Sequence, residues 1–340
     1  MTVVAVTFNF SGYIKELFKL DLDTVIIKWS IAFFVVYLLF DILIGIAQAY
    51  KIFDFINRIN LAIVLLYLII IFVARNNYHV DFFYFNIFQA SLYSACCLII
   101  LYVLRLNFNL GRRIVLFKYQ DLKLFIYYSL PTYFSNLSAF MMYRSDLFVV
   151  NYFLGPSFTG IYFISVSITE KLNIFSNSIA AITFPYLVEG NKLNTIFIFK
   201  YTIYLLALIA IFLFFFIEYF VKIFLNKEFL GSVSLIQVML PGVVFLGLSK
   251  ILANKISAIN KPGYNFIASF FALLINHFLN FLLIPKFGLL AAAFSTTLSY
   301  LLLLLLCLIF YSKLVEKIAI SDLIVTKSDI QIFKNLILRS

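Results

Sequence analysis

The chain has 340 residues, of which 64% are hydrophobic and 12% charged, with 43 Phe and 22 Tyr; its mean hydropathy is +1.06. Soluble domains are about half apolar and a quarter charged, so this composition excludes an ordinary soluble domain and marks an integral membrane protein. The net charge of +11 does not make it a nucleic-acid binder, because its Lys and Arg sit in short loops between apolar runs rather than on one face.

About 20 mainly apolar residues are needed to cross a hydrocarbon core of roughly 30 Å. In chain order, nine stretches meet that length: 27–49, 58–74, 82–105, 126–150, 158–185, 198–217, 232–249, 264–284 and 288–311. The segment after Met1, TVVAVTFNF, is too short and lacks the basic start of a cleavable signal. The second stretch is short and the fifth long, and the seventh carries Pro241. Basic residues in the loops give the orientation. If 106–125 is cytoplasmic, that side gains Lys51, Arg58, Arg105, Arg112, Arg113, Lys118 and Lys123, with Lys250, Lys255, Lys261, Lys313 and Lys317 further on. Lys250, Lys255 and Lys261 then flank a cytoplasmic turn as orientation determinants. An odd number of spans with a cytoplasmic C-terminus leaves the N-terminus outside. The expectation is that early spans of a larger architecture are missing from this chain.

The longest basic, polar interruption, RLNFNLGRRIVLFKYQDLK (105–123), divides three spans from six. This gives a partial N-terminal lobe at 1–105, a basic linker at 106–125 and a six-helix lobe at 126–312. A cytoplasmic amphipathic tail follows at 313–340, read as lying on the membrane surface.

Groups with chemistry are sparse. Cys96, Cys97 and Cys307 lie in apolar runs without CxxC spacing, and His79 and His277 form no metal motif. No HExxH, Walker loop, GxSxG or dinucleotide-binding fingerprint occurs, so no catalytic residue, metal ligand or cofactor is assigned. The charges inside the spans stand out instead. MMYRSDLFVV (141–150) places Arg144 and Asp146 inside the fourth span, and Glu170 and Lys171 fall within the fifth. Counting from the outer ends, Arg144 and Asp146 lie roughly 13 and 10 Å deep and Glu170 about 20 Å. Arg144 and Asp146 are two residues apart, so they cannot pair with each other. The expected pairs are Arg144 with Glu170 and Asp146 with Lys171. Such a network either fixes the register of a hairpin or lines a wet cavity that contacts substrate. Asn276 and Asn280 share a helix face at i,i+4, suited to interhelical hydrogen bonds or to sugar contact. His277 beside them can titrate in a proton-coupled cycle. Asp41 and Lys28 in the first span present the same ambiguity. The small-residue run GLLAAAFSTT (288–297) suits close helix packing.

Several of these segments resemble a known family. YYSLPTYFSNLSAFMMYRSDLFVVNYFLGPSFTGIYF, with "SLP" at a helix start, an Asp near its end and "FLG…TGIY", is similar to the first hairpin of the second lobe in Wzx-type oligosaccharide flippases. These belong to the multidrug/oligosaccharidyl-lipid/polysaccharide exporter superfamily. SIAAITFPYLVEG and ILANKISAINKPGYNFIASFFALLINHFLNFLLIPKFGLLAAAFSTTLSY resemble later landmarks of the same family, Phe287 standing where a Tyr is usual, and IGIAQAYKIFDFINRI resembles its fourth span. The resemblance implies an all-α, MATE-like two-lobe transporter with about nine spans here: 27–105 as spans four to six, and 126–311 as spans seven to twelve. It implies a flippase that moves polyprenyl-diphosphate-linked oligosaccharide repeat units across a bacterial cytoplasmic membrane for surface polysaccharide such as O-antigen. Its partners would be that lipid-linked substrate, membrane lipids, and polysaccharide polymerase and chain-length machinery. Arg144, Asp146, Glu170, Lys171, Asn276 and Asn280 are the candidate cavity residues. The rival readings are a drug/cation antiporter of the same superfamily, a membrane polymerase or ligase of glycan assembly, and an inactive remnant.

Overall fold

The computed structural model describes residues 24–76, 82–108, 119–189 and 194–324. Among these, every regular element is helical. The chain divides into two compact units, 1–116 and 117–340. Unit 1 contains α1 (Thr24–Ala49), α2 (Phe53–Asn76) and α3 (Phe82–Phe108). Its core is Phe40, Ala47, Ile56, Ile59, Ile63, Cys96, Ile100 and Leu104. Tyr93 packs edge-on against Phe33, Tyr37 and Phe40, tying α3 to α1.

Unit 2 contains α4 (Tyr119–Leu154), α5 (Pro156–Thr169), α6 (Asn173–Val188), α7 (Thr195–Phe224), α8 (Ser232–Ala258), α9 (Pro262–Phe287) and α10 (Leu289–Leu314). α8 is its central element, packed on α5, α6, α7 and α10, and α9 joins α4 to α10. Large apolar side chains point outward on nearly every helix, Phe148, Phe215 and Ile223 among them. Water would make such a surface aggregate, whereas hydrocarbon covers it without cost. Seven described helical segments are long and apolar enough to cross a membrane: those of α1, α2, α3, α7, α8, α9 and α10. α4 and the α5–α6 rod complete the bundle while carrying the intramembrane charges.

Four expectations change here. The 158–185 stretch is not one helix: a 3-10 turn at Glu170–Leu172 breaks it into α5 and α6. Just before the break, the Thr169 hydroxyl turns back to the Ser165 and Val166 carbonyls, a local bond that competes with regular helix. α4 begins at Tyr119, so Pro131 lies inside the helix rather than at its start, and 119–125 is helix rather than linker. Thr132 donates to the Tyr128 carbonyl at 2.8 Å beside that proline. α8 continues to Ala258, where Asn260 takes a φ of 59° and Pro262 starts α9. Lys250 and Lys255 are therefore helical, and of the three lysines only Lys261 lies in the turn. Finally, the beginning of the tail folds onto the bundle. Lys200, 6% exposed, donates to the Ile324 carbonyl at 2.9 Å, and Tyr204 to the Leu323 carbonyl at 2.8 Å. Tyr311 donates to Glu316 at 3.0 Å. Residues 325–340 lie outside the described residues, as do 109–118 of the linker and His79.

Two glycines set the geometry. Gly288 adopts a φ of +66°, which lets α9 end and α10 begin within one residue. Gly242 lets α8 meet α10: an added Cβ would lie 2.8 Å from the Thr297 Cα. Because backbone blocks that space, Gly242→Ala is expected to destabilise unit 2 by about 1–3 kcal/mol. Gly263→Ala, with open space around it, is expected to leave the thermal unfolding midpoint in detergent unchanged.

Candidate functional site

Two polar constellations lie inside unit 2. The first surrounds Asp146, which is 2% exposed. It sits two turns before the end of α4, where α5, α9 and α10 converge. Asn280 donates to its Oδ1 at 2.7 Å, and Thr296 lies 2.8 Å from its Oδ2. The Tyr162 hydroxyl reaches Oδ2 at 3.2 Å or the Thr296 hydroxyl at 3.1 Å, and Asn276 Nδ2 stands 3.5 Å from Oδ2. The buried Oδ1 of Asn280 has no hydrogen-bond partner. Each helix supplies its group for a local reason. The i,i+4 spacing puts Asn276 and Asn280 on one face of α9. The buried alanines Ala291, Ala292 and Ala293 let the Thr296 turn of α10 approach α4. Among the described residues Asp146 forms no salt bridge, and its hydrogen bonds come from neutral side chains. A carboxylate in that condition is a natural holder of a proton or a small cation.

The second constellation centres on the α5–α6 break. Arg144 Nη2 lies 3.5 Å from Glu170 Oε2. The other carboxylate oxygen of Glu170 is buried without a hydrogen-bond partner. Lys250 on α8 donates to Asn177 Oδ1 on α6 at 3.0 Å. Lys250 also borders a cleft of about 520 Å³, lined by α4, α6, α8, α9 and α10. Asn136, Ser249, Asn254, Ser257, Asn265 and Ser269 provide much of its polar wall, with Tyr128 and Tyr143 beside them. Lys250 is the only charged residue among the described residues lining it. It lies about 12 Å along α8 from the end at Ala258, at the usual helical rise. A pocket of amides and hydroxyls with one ammonium, set among apolar helices, suits a polar ligand carrying negative charge.

No family model matches the sequence. The chain is 26% identical over 193 residues to the uncharacterized membrane protein MJ1068 of Methanocaldococcus jannaschii, covering 54% of this chain and 34% of that protein. It is 23% identical over 181 residues to the "Probable low-salt glycan biosynthesis flippase Agl15" of Haloferax volcanii, covering 51% of this chain and 38% of that protein. The alignments thus span little more than a third of the curated relatives. Among solved structures, a MOP superfamily transporter from Pyrococcus furiosus, noted for the reverse polarity of its binding pocket, aligns with a TM-score of 0.48 at 18% identity. That alignment covers 62% of this chain and 49% of that one. An outward-facing multidrug resistance MATE family transporter aligns with the same TM-score at 17% identity and the same coverage.

The six residues expected from sequence divide into three groups. Arg144 and Glu170 meet across α4 and the break. Asp146, Asn276 and Asn280 come together in the buried network and do not border the cleft. Lys171 is exposed and stands apart from Asp146; the expected Asp146–Lys171 pair is replaced by bonds to Asn280, Thr296 and Tyr162. The 3-10 turn at Glu170 and the burial of Asp146 against α9 and α10 explain the change. His277 turns its Nδ1 to its own helix, 3.0 Å from the Leu273 carbonyl. Sequence reasoning missed the cleft role of Lys250. The signal lay in its spacing: nine residues separate it from Asn260, too many for a turn residue. Thr296 and Tyr162 were also missed, being unremarkable in apolar runs. Asp146→Leu removes the acceptor shared by these groups and is expected to cost at least ~2 kcal/mol of stability. Lys171→Leu, on an exposed side chain, is expected to change it by no more than about 0.5 kcal/mol in the same detergent melt.

Proposed function

We propose that this protein belongs to the machinery that flips lipid-linked glycan across a membrane, carrying polyprenyl-diphosphate-linked oligosaccharide by alternating access. The observation that carries the reading is the cleft of unit 2: amides and hydroxyls set among apolar side chains, with Lys250 as the single charge among the described lining residues, inside a bundle whose exterior is apolar. Sugar hydroxyls match the Asn and Ser groups of the wall, and a phosphate matches the ammonium. The prenyl tail stays in the bilayer, so no bond is made or broken and no cofactor is needed. The partial identity to the probable glycan biosynthesis flippase of Haloferax volcanii supports the same direction.

In this reading the cleft faces first the cytoplasm and then the exterior. Arg144 and Glu170 hold the break in α5–α6 against α4. Asp146 is the group on which a coupling proton or cation acts, because it is a buried carboxyl held by neutral hydrogen-bond partners. The Lys residues near the α8–α9 turn and the end of α10, Lys255, Lys261, Lys313 and Lys317, support a cytoplasmic location for that end of unit 2. The relatives named above come from Methanocaldococcus jannaschii and Haloferax volcanii, so the membrane in question is the cell's cytoplasmic membrane without restriction to bacteria. An antiporter for organic cations would need acidic groups where substrate enters, and Lys250 in an otherwise uncharged wall opposes that cargo.

Deleting the gene is expected to make lipid-linked glycan accumulate on the cytoplasmic face, measured by its accessibility to externally added glycosidase in oriented vesicles. Wild-type protein restores surface glycan. Lys250→Ala and Arg144→Ala are each expected to restore no more than about a tenth, the effect of losing one charge-assisted contact. Unchanged glycan display in the deletion, together with lost resistance to cationic drugs, would instead mark an antiporter.

A further inference from the structure

The Lys250 ammonium has a second set of partners that it does not use in the arrangement seen. On the α5–α6 rod, Glu170, Asn173 and Asn177 recur at i, i+3 and i+7, a spacing that aligns side chains along one stripe. The stripe faces α8, which packs on both the break and α6. Lys250 is bonded at its upper rung, Asn177 Oδ1, at 3.0 Å. The next two rungs, Asn173 Oδ1 and Glu170 Oε1, are buried and have no hydrogen-bond partner. Buried acceptors without donors are costly, about 1–3 kcal/mol each, and call for an explanation. The Arg144 contact does not supply one: it lies on the other carboxylate oxygen, at a long 3.5 Å, and leaves Oε1 untouched. The neighbouring rungs lie about 5–6 Å apart, within the sweep of a four-carbon lysine stem.

We infer that Glu170 is an internal competitor for the anionic group of the ligand. At Asn177 the ammonium faces the cleft and offers its charge to a phosphate. Moved down the stripe to Asn173 and Glu170, it satisfies both unpartnered oxygens and withdraws its charge from the cleft. The two positions exclude each other because one ammonium serves both. Glu170 thereby favours release: it stabilises the state in which the anion is no longer held. The inference rests on the anionic cargo proposed above and deepens it by assigning a release residue. It makes Glu170 a positioning residue acting through Lys250, without ligand contact of its own.

The test uses the full chain purified in detergent, with geranyl diphosphate as the probe and geranyl trimethylammonium as its cationic counterpart; affinity is read by calorimetry and dissociation by stopped flow. Wild type is expected to bind the diphosphate and not the cation. Lys250→Met is expected to weaken diphosphate binding at least ~10-fold. Glu170→Gln is expected to tighten it at least ~5-fold and to slow dissociation in proportion, while reducing glycan display in cells. Asn173→Ala removes the middle rung, leaves the Arg144–Glu170 pair in place and is expected to shift affinity in the same direction. This second variant separates release of Lys250 from release of Arg144, and it also serves where Glu170→Gln does not fold. Equal or weaker diphosphate binding in folded Glu170→Gln and Asn173→Ala overturns the inference and leaves the flippase reading standing. Wild-type protein that ignores the diphosphate, or binds the cation, overturns both.

Discussion

The second unit depends on one constraint: a carboxyl group is held inside an apolar bundle with no salt bridge among the described residues. Asp146 meets that constraint by gathering donors from three other helices, Tyr162 of α5, Asn280 and Asn276 of α9, and Thr296 of α10. Bilayer hydrocarbon offers no substitute for those donors. The helices must therefore converge at this depth, and the packing follows from it. The run Ala291–Ala293 is small because α10 must come close to α4, and Gly242 is a glycine because α8 must come close to α10. A network of this kind fixes register as much as it adds stability, since a shift of one residue would strand every member.

The second polar region uses the opposite arrangement. At the Glu170–Leu172 break the charges are close but incompletely matched: a long ion pair to Arg144, a lysine bonded to an amide instead of an acid, and two buried oxygens without donors. The Asp146 network is largely closed, with one amide oxygen unpartnered; near the break, Lys250 borders a cleft. Under the proposed function, rigid support with a movable charge beside it suits a carrier, where the ligand must be bound and then let go. A pocket built for permanent retention would pair its lysine with an acid and leave no acceptor idle.

Much of the helical framework was legible in the sequence, because twenty-residue apolar runs admit few alternatives in a membrane. The apolar stretches each correspond to a helical rod, and the Asn276/Asn280 spacing named a face that does serve Asp146. The ends of α4 and α8 are less legible, since charge beside an apolar run reads as a loop. Tyr119–Lys123 and Lys250–Ala258 are polar yet helical, as nothing in them breaks a helix before Asn260. The break inside 158–185 was also hidden, because a 3-10 turn at Glu170–Leu172 leaves no mark in hydropathy.

Sequence by itself determined that this chain lives in a membrane, where its helices run, and that Arg144, Asp146 and Glu170 had to find partners. Composition and period suffice for that, being properties of single segments weighed against hydrocarbon. Only the tertiary structure decided who the partners are. Asp146 turned to Asn280, Thr296 and Tyr162 rather than Lys171, and Lys250 became part of a cleft rather than a loop. Those choices depend on which helices face each other and at what rotation. Long-range packing sets that rotation, so no local pattern in the chain records it.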